Sequence, residues 1–212
     1  MKTKNKVSGK VIIYILLVFF ALVFLLPIVW IVFSSFKTAG ELFAWPPSLL
    51  GEHPTVDNYL LALEEGDFVQ YFVNTVFVSI VATILTVIVN VMAGYVFAKY
   101  DFRFKKLLFA LVMATLMIPL EVIMIPVFKV IVATHMYNSL WGLIIPAVAS
   151  PTAVFLVRQY YVPIPTELME AARIDGASEL KIFLRVMLPI AKPVIAVLCI
   201  FSFMWRWNDY LW

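Results

Sequence analysis

The sequence predicts an all-α membrane protein, a polytopic bundle of about five spanning helices, on three observations. Hydrophobic residues make up 64% of the chain and charged residues only 14%, with a mean hydropathy of +0.99; a soluble domain is closer to half apolar and about a quarter charged. The apolar residues are gathered into runs, and crossing a hydrocarbon core takes roughly 20 of them in a helix. Between the runs, basic residues collect on alternate sides. The runs must be helices because lipid offers no water to satisfy an open backbone. At 212 residues the chain suits a single domain.

The first run, residues 11–33, follows Lys2, Lys4, Lys6 and Lys10 and is interrupted only by Pro27. A cleavable signal peptide starts similarly, but its apolar core is about half as long and ends at a small-residue cleavage site. This run lacks such a site and reads as a retained span. Residues 37–70 change character, with Trp45, Pro46, Pro47, Gly51, Pro54 and the acids Glu41, Glu52, Asp57, Glu64, Glu65 and Asp67. They predict an extracytoplasmic loop with one short helix.

A second span covers 71–98, and "KYDFRFKK" separates it from a third over 107–128. A fourth span follows at 140–157, a polar segment at 163–189, and a fifth span at 193–212. With the N-terminus in the cytoplasm, the inner segments hold Lys2, Lys4, Lys6, Lys10, Lys99, Arg103, Lys105, Lys106, Arg158, Arg173, Lys181, Arg185 and Lys192. Only Lys37, Lys129 and Arg206 fall elsewhere. That bias places the N-terminus and the 163–189 segment in the cytoplasm.

Composition also excludes chemistries. Cys199 alone builds no disulfide framework, and His53 and His135 are too scattered for a metal cluster. The net charge of +3 reports membrane orientation, and no nucleic-acid partner is expected. Paired carboxylates or a nucleophile–base set, which a membrane enzyme needs, do not recur at one depth.

Within 163–189, Pro163 and Pro165 close off the fourth span and Thr166 is placed to cap a new helix over "ELMEAAR", with Glu167 and Glu170 in its first turns. Gly176 stops that helix. Ser178 is placed to cap a second, in which Leu180, Phe183, Leu184, Met187 and Leu188 share one face before Pro189 ends it. A two-turn helix is marginal alone in water and needs a surface. The underside of its own bundle and a cytoplasmic partner both qualify, and the small side chains of Ala171, Ala172 and Ala177 suit the second.

Inside the spans, Glu121 lies between Pro119 and Pro126, so a kink is expected there. A carboxyl group at depth either faces a pathway or is satisfied by a contact between helices or with a partner. Asn90 invites a pathway role or interhelical hydrogen bonds, and Gly94 allows close helix approach. Arg206 and Asp209 fall three apart on a helical face among Trp205, Trp207, Tyr210 and Trp212, an aromatic group that marks the outer interface.

The pattern Glu170, Ala171, Ala172, Asp175, Gly176, Ala177, Phe183, Val186, Pro189 and Pro193 resembles the EAA loop of ABC importer permeases. "MIPLEVIMIPVF" (residues 117–128), "LVRQYYVPIP" (156–165) and "WRWNDYLW" (205–212) are similar to the carbohydrate-uptake permeases of the maltose and glycerol-phosphate type, the MalG-like subunit in particular. The resemblance implies a permease subunit of a prokaryotic inner membrane that forms half of a pathway for a sugar or related solute. It implies two copies of an ATP-binding subunit, a second permease, an extracytoplasmic solute-binding protein and surrounding lipid as partners. Glu170, Ala171, Ala172, Asp175, Gly176 and Ala177 would then couple the chain to the ATPase. ATP and Mg would be bound by those subunits, since this chain has no GxxxxGK phosphate cradle and no cofactor of its own. Such permeases have six spans against the five counted here, so a sixth is expected to be lost by truncation or encoded elsewhere. An alternative is an ion-gradient-driven secondary transporter with Glu121 carrying the proton.

Overall fold

The computed structural model describes residues 2–210, with side chains from residue 10 onward. The side chains of Lys2, Lys4 and Lys6, counted above for orientation, and Trp212, counted in the aromatic group, lie outside the described residues. Everything described is helix, turn or loop. Two compact units are present, residues 1–70 and 71–212.

In the first unit, α1 (Lys2–Ser34) carries Pro27 within it. Its spanning part, Lys10–Ser34, presents apolar side chains on every face. The loop after it holds two short helices where one was expected, α2 (Ala39–Leu42) and α3 (Asp57–Glu64). Asn58 Nδ2 closes the loop by donating to the carbonyls of Ser35 at 2.9 Å and Lys37 at 2.8 Å.

The second unit is organised on α4 (Phe68–Lys99). Its neighbours are α5 (Lys105–Thr115), α6 (Leu120–Ala133), α7 (Leu140–Val148) and α8 (Pro151–Tyr161). The polar segment supplies α9 (Glu167–Ile174) and α10 (Glu179–Ile190), and α11 (Lys192–Trp207) follows. Three helical stretches among the described residues are long and apolar enough to cross a membrane: Lys10–Ser34, Phe68–Lys99 and Leu140–Tyr161. The predicted five are reached by counting two bent helix pairs as one span each.

The bends correct the sequence reading. The expected third span over 107–128 is two helices, α5 and α6, turned 104° from each other, and the second runs on to Ala133. Proline explains the break: Pro119 has no N–H to continue α5 and drives the preceding residue out of helical geometry. Pro119 itself is extended, at φ −59° and ψ 143°. Pro126, also suspected of kinking, sits inside α6. The fourth span is interrupted too, with Ala149 and Ser150 non-helical between α7 and α8. The fifth ends as helix at Trp207.

α4 packs on α7 through a small apolar cluster of Val78, Ala82 and Ile144. The larger core lies at its other end, where Val91 and Tyr95 meet Val157 and Tyr161 of α8, Met169 of α9, and Ile182, Phe183 and Met187 of α10. Where water is the alternative environment, burying each such side chain contributes about 1.5–3 kcal/mol. The polar segment is therefore fastened to its own bundle by this core.

Candidate functional site

The 163–189 segment is a bent foot made of α9 and α10. α9 ends at Ile174 and its C-terminus is closed by two backbone hydrogen bonds, from Gly176 N–H to the Arg173 carbonyl at 2.9 Å and from Ala177 N–H to the Ala172 carbonyl at 3.0 Å. That pair of bonds is a Schellman closure, which requires a left-handed residue. Gly176 supplies it at φ +77°.

Neither predicted cap makes its bond. Thr166 is in helical conformation, at φ −74° and ψ −21°, which turns its hydroxyl away from a capping position. Ser178 has extended cap geometry, yet its side chain accepts nothing. α10 also differs from the expected stripe. Residues 183–187 form a π turn, with the Leu188 N–H reaching back five residues to the Phe183 carbonyl. In a regular helix the ring of Pro189 would clash with the carbonyl of Arg185, and the wider turn relieves this. The helix therefore passes Pro189 and ends at Ile190. The turn also rotates the buried face to Ile182, Phe183 and Met187, leaving Leu180 and Leu184 exposed.

Glu170, Ala171, Asp175 and Gly176 are exposed, while Ala172 and Ala177 are half-buried against the core of the chain itself. Glu170 and Asp175 make no side-chain hydrogen bond or ion pair among the described residues. Between them Ile174 is 86% exposed. The outer surface of the foot thus carries two uncommitted carboxylates around an unshielded aliphatic side chain.

The groups that hold the foot were not read from the sequence. Tyr161 Oη donates to the Met187 carbonyl at 3.1 Å and Tyr160 Oη to the Ile190 carbonyl at 3.0 Å. Lys99 Nζ donates to the Ile164 carbonyl. Tyr95 packs on Tyr161 and Phe183, with ring centroids 5.4 Å and 5.1 Å away. Glu179 accepts from both Arg173 and Tyr100. Their signal was the placing of tyrosines at run ends, in "FAKYD" and "RQYYV".

Asn90, 1% exposed, makes interhelical hydrogen bonds. Its amide donates to the Thr86 carbonyl at 2.5 Å and the Val148 carbonyl at 2.7 Å, and its oxygen accepts from Ser150 N–H at 3.0 Å. It therefore serves the polar backbone groups that the α7–α8 break sets free. Thr86 adds a bond to the Ala147 carbonyl at 3.2 Å.

Glu121 lies in the first turn of α6, exposed and without a hydrogen bond or ion pair among the described residues. A carboxylate there is favoured by the helix dipole. Arg206 pairs with Asp209 at 3.0 Å, but Asp209 lies beyond the helix end, not on the expected helical face. No cluster of metal-ligating side chains occurs among the described residues.

Apolar helices long enough to cross a membrane, two bent helix pairs and a polar helical foot define a class, the multi-pass helical membrane protein. The chain belongs to the family of inner membrane components of binding-protein-dependent transport systems, whose model matches residues 90–212. It is a permease subunit of an ABC importer and a multi-pass protein of the bacterial inner membrane. The arabinooligosaccharides transport system permease protein AraQ of Halalkalibacterium halodurans is 37% identical over 92% of this chain and 71% of its own length. The diacetylchitobiose uptake system permease protein NgcG of Streptomyces coelicolor is 33% identical over 92% of this chain and 65% of its own. A crystal structure of a bacterial ABC transporter involved in the import of the acidic polysaccharide alginate contains a chain that superposes with a TM-score of 0.82, at 26% identity, covering 100% of this chain and 75% of that one. The ion-gradient alternative built on Glu121 finds no support in this membership.

Proposed function

We propose that this chain forms half of the translocation pathway for a sugar or oligosaccharide and is driven by ATP-binding subunits that grip α9 from the cytoplasm. Relatives named for arabinooligosaccharides and diacetylchitobiose support the carbohydrate class. The assembly holds two copies of an ATP-binding subunit, a second permease and an extracytoplasmic binding protein. ATP and Mg belong to the first of these. The bias of basic residues puts the N-terminus and the foot on the cytoplasmic side.

The observation that carries the reading is the outer surface of the foot. Among the described residues Glu170 and Asp175 are uncommitted around exposed Ile174, whereas the opposite surface is buried in the chain's own core. Charged hydrogen bonds to a partner and burial of the aliphatic side chain both become available on docking. Glu121, exposed and unpaired among the described residues, is assigned to the surface shared with the pathway and the second permease.

Gentle detergent extraction followed by mass spectrometry tests the assembly, with an ATP-binding subunit and a second permease expected to travel with the chain. A photo-crosslinker at Ile174 should capture the ATP-binding subunit. Capture of only lipid or of this chain's own residues would defeat the proposal.

A further inference from the structure

The joint between α9 and α10 is open. A side chain at Gly176 would meet nothing within 4 Å, so the turn itself adds no packing on the outer side of the joint. The core beneath it holds α10 from the inner side, and on the outer side polar contacts cross from α9 to α10. One carboxylate bridges the joint. Glu179, in the first turn of α10, accepts from Arg173 Nε at 2.6 Å and from its second guanidinium nitrogen at 3.2 Å. Arg173 is in the last turn of α9. The Oε2 atom of Glu179 also accepts from the hydroxyl of Tyr100, which directly follows α4. Tyr100 Oη lies 3.2 Å from Tyr95 Oη, and the Tyr95 ring is embedded in the core. One side chain thus joins α9, α10 and the end of α4.

Two physical facts say what this arrangement is for. Arg173 and Glu179 are about half exposed, and an exposed pair adds little to stability because water screens it. A two-pronged guanidinium–carboxylate contact nevertheless fixes relative orientation, since both hydrogen bonds survive only in one plane. The buried core formed by Met169, Ile182, Phe183 and Met187 keeps the foot folded without it.

We propose that Glu179 is a positioning residue. With Arg173 and Tyr100 it locks the angle between α9 and α10 to the end of α4, so that a displacement of α9 reaches the spans and is not absorbed at Gly176. This inference rests on the reading of α9 as the element the ATPase grips. A coupling element must differ in its contacts between two states and must pass that difference on.

The test uses the assembled transporter in nanodiscs with Cys199→Ser and paired spin labels. Labels at Leu168 and Leu184 report the α9–α10 angle, and labels at Ile88 and Ile200 report the response of α4 and α11 to nucleotide trapping with ATP and vanadate. Glu179→Gln is expected to broaden the first distance distribution and to abolish the nucleotide-driven change in the second, with thermal stability unchanged. Tyr100→Phe should do the same in part. The exchanged pair Arg173→Glu with Glu179→Arg should restore both signals, which a merely structural role would not predict. A first distribution as narrow in Glu179→Gln as in the native chain, or an undiminished nucleotide response at the second pair, overturns the proposal. Co-purification of the ATP-binding subunit is scored separately. Its absence from the native chain defeats the docking reading, while the α9–α10 distances still report on the brace.

Discussion

Gly94 of α4 faces Val157 of α8 with no room for a side chain between them. A Cβ on Gly94 would lie 2.6 Å from the Val157 Cβ and 3.0 Å from the Arg158 backbone nitrogen. In lipid, burying apolar surface between helices gains little, because the tails are as apolar as the side chains. Close backbone approach and its dispersion contacts therefore carry the association. Gly94→Ala forces the helices apart and should destabilise the purified protein by about 1–3 kcal/mol. The paired change Gly94→Ala with Val157→Ala should recover part of that loss in thermal melts. Simple addition of the two single effects would mean that the contact is not what positions α8.

Asn90 holds the interruption between α7 and α8 together by answering both the Val148 carbonyl and the Ser150 N–H. Asn90→Leu keeps the volume and strands both backbone groups in a medium without water. Hydrogen bonds between spans are worth on the order of 0.6–2 kcal/mol each, so a loss of about 1–3 kcal/mol is expected. Asn90→Asp should be intermediate at best, since an aspartate oxygen can accept from Ser150 but cannot donate to Val148 when ionised. Hydrogen exchange should accelerate at Ser150 in the leucine variant. Unchanged protection there would show that the break needs no side chain to close it.

The long apolar helices were legible in the sequence because hydropathy adds along a run without regard to neighbours. Interruptions were only half legible. Pro119 announced a change of direction but not its size, the 104° between α5 and α6, and Ser150 with Pro151 was averaged away within an apolar run. In the foot, Gly176 was readable because glycine takes a left-handed turn at the least steric cost. The face of α10 was not, because a π turn shifts the register that regular spacing assumes. Arg173 and Glu179 are six apart, a separation at which no regular helix pairs side chains. Their contact exists only because the chain reverses between them.

The turn at Gly176 gives a graded prediction. Its φ of +77° is disfavoured for an L side chain, while the space around it is free, so the cost of substitution is conformational. Gly176→Asn should be tolerated best, since asparagine visits this region most readily. Gly176→Ala should cost about 1–2 kcal/mol, and Gly176→Pro, locked near φ −65°, should undo the turn. Membrane insertion should survive in all three, whereas ATP-driven uptake in proteoliposomes should fall in the order Asn, Ala, Pro. Equal activity in all three would mean that the turn does not orient α9.

Charge on the docking surface should act differently from strain in the turn. Glu170 is exposed and unpaired among the described residues, so Glu170→Lys breaks no contact there, and its effect on stability should stay within about 0.5 kcal/mol. It reverses the charge offered to a partner, and like-charge contact suppresses association. Insertion and thermal stability are expected to be unchanged while uptake is abolished. Normal uptake, with a full share of ATPase bound, would remove Glu170 from the coupling surface.

The brace has a defined pH window. Hydrogen bonds from Arg173, then from Tyr100, hold the Glu179 carboxyl below its ordinary range. A depressed acid contributes stability above its unfolded pKa and loses it as pH falls through the lower folded one, so the brace persists below about pH 4.3 before it opens. Tyr100 is pushed upward, first by burial and then by its bond to Glu179. A raised group contributes stability below its unfolded pKa and loses it as pH rises through the folded one, which puts the alkaline limit above about pH 10. The spin-label distance between α9 and α10 should therefore stay constant from pH 5 to pH 9, a span chosen to lie inside both limits set by the ordinary glutamate and tyrosine values of about 4.3 and 10. In Glu179→Gln it should be broad throughout that range. A native distribution that broadens between pH 5 and pH 7 would show that the Glu179 carboxyl lies above its ordinary range, the opposite of what hydrogen bonds from Arg173 and Tyr100 require.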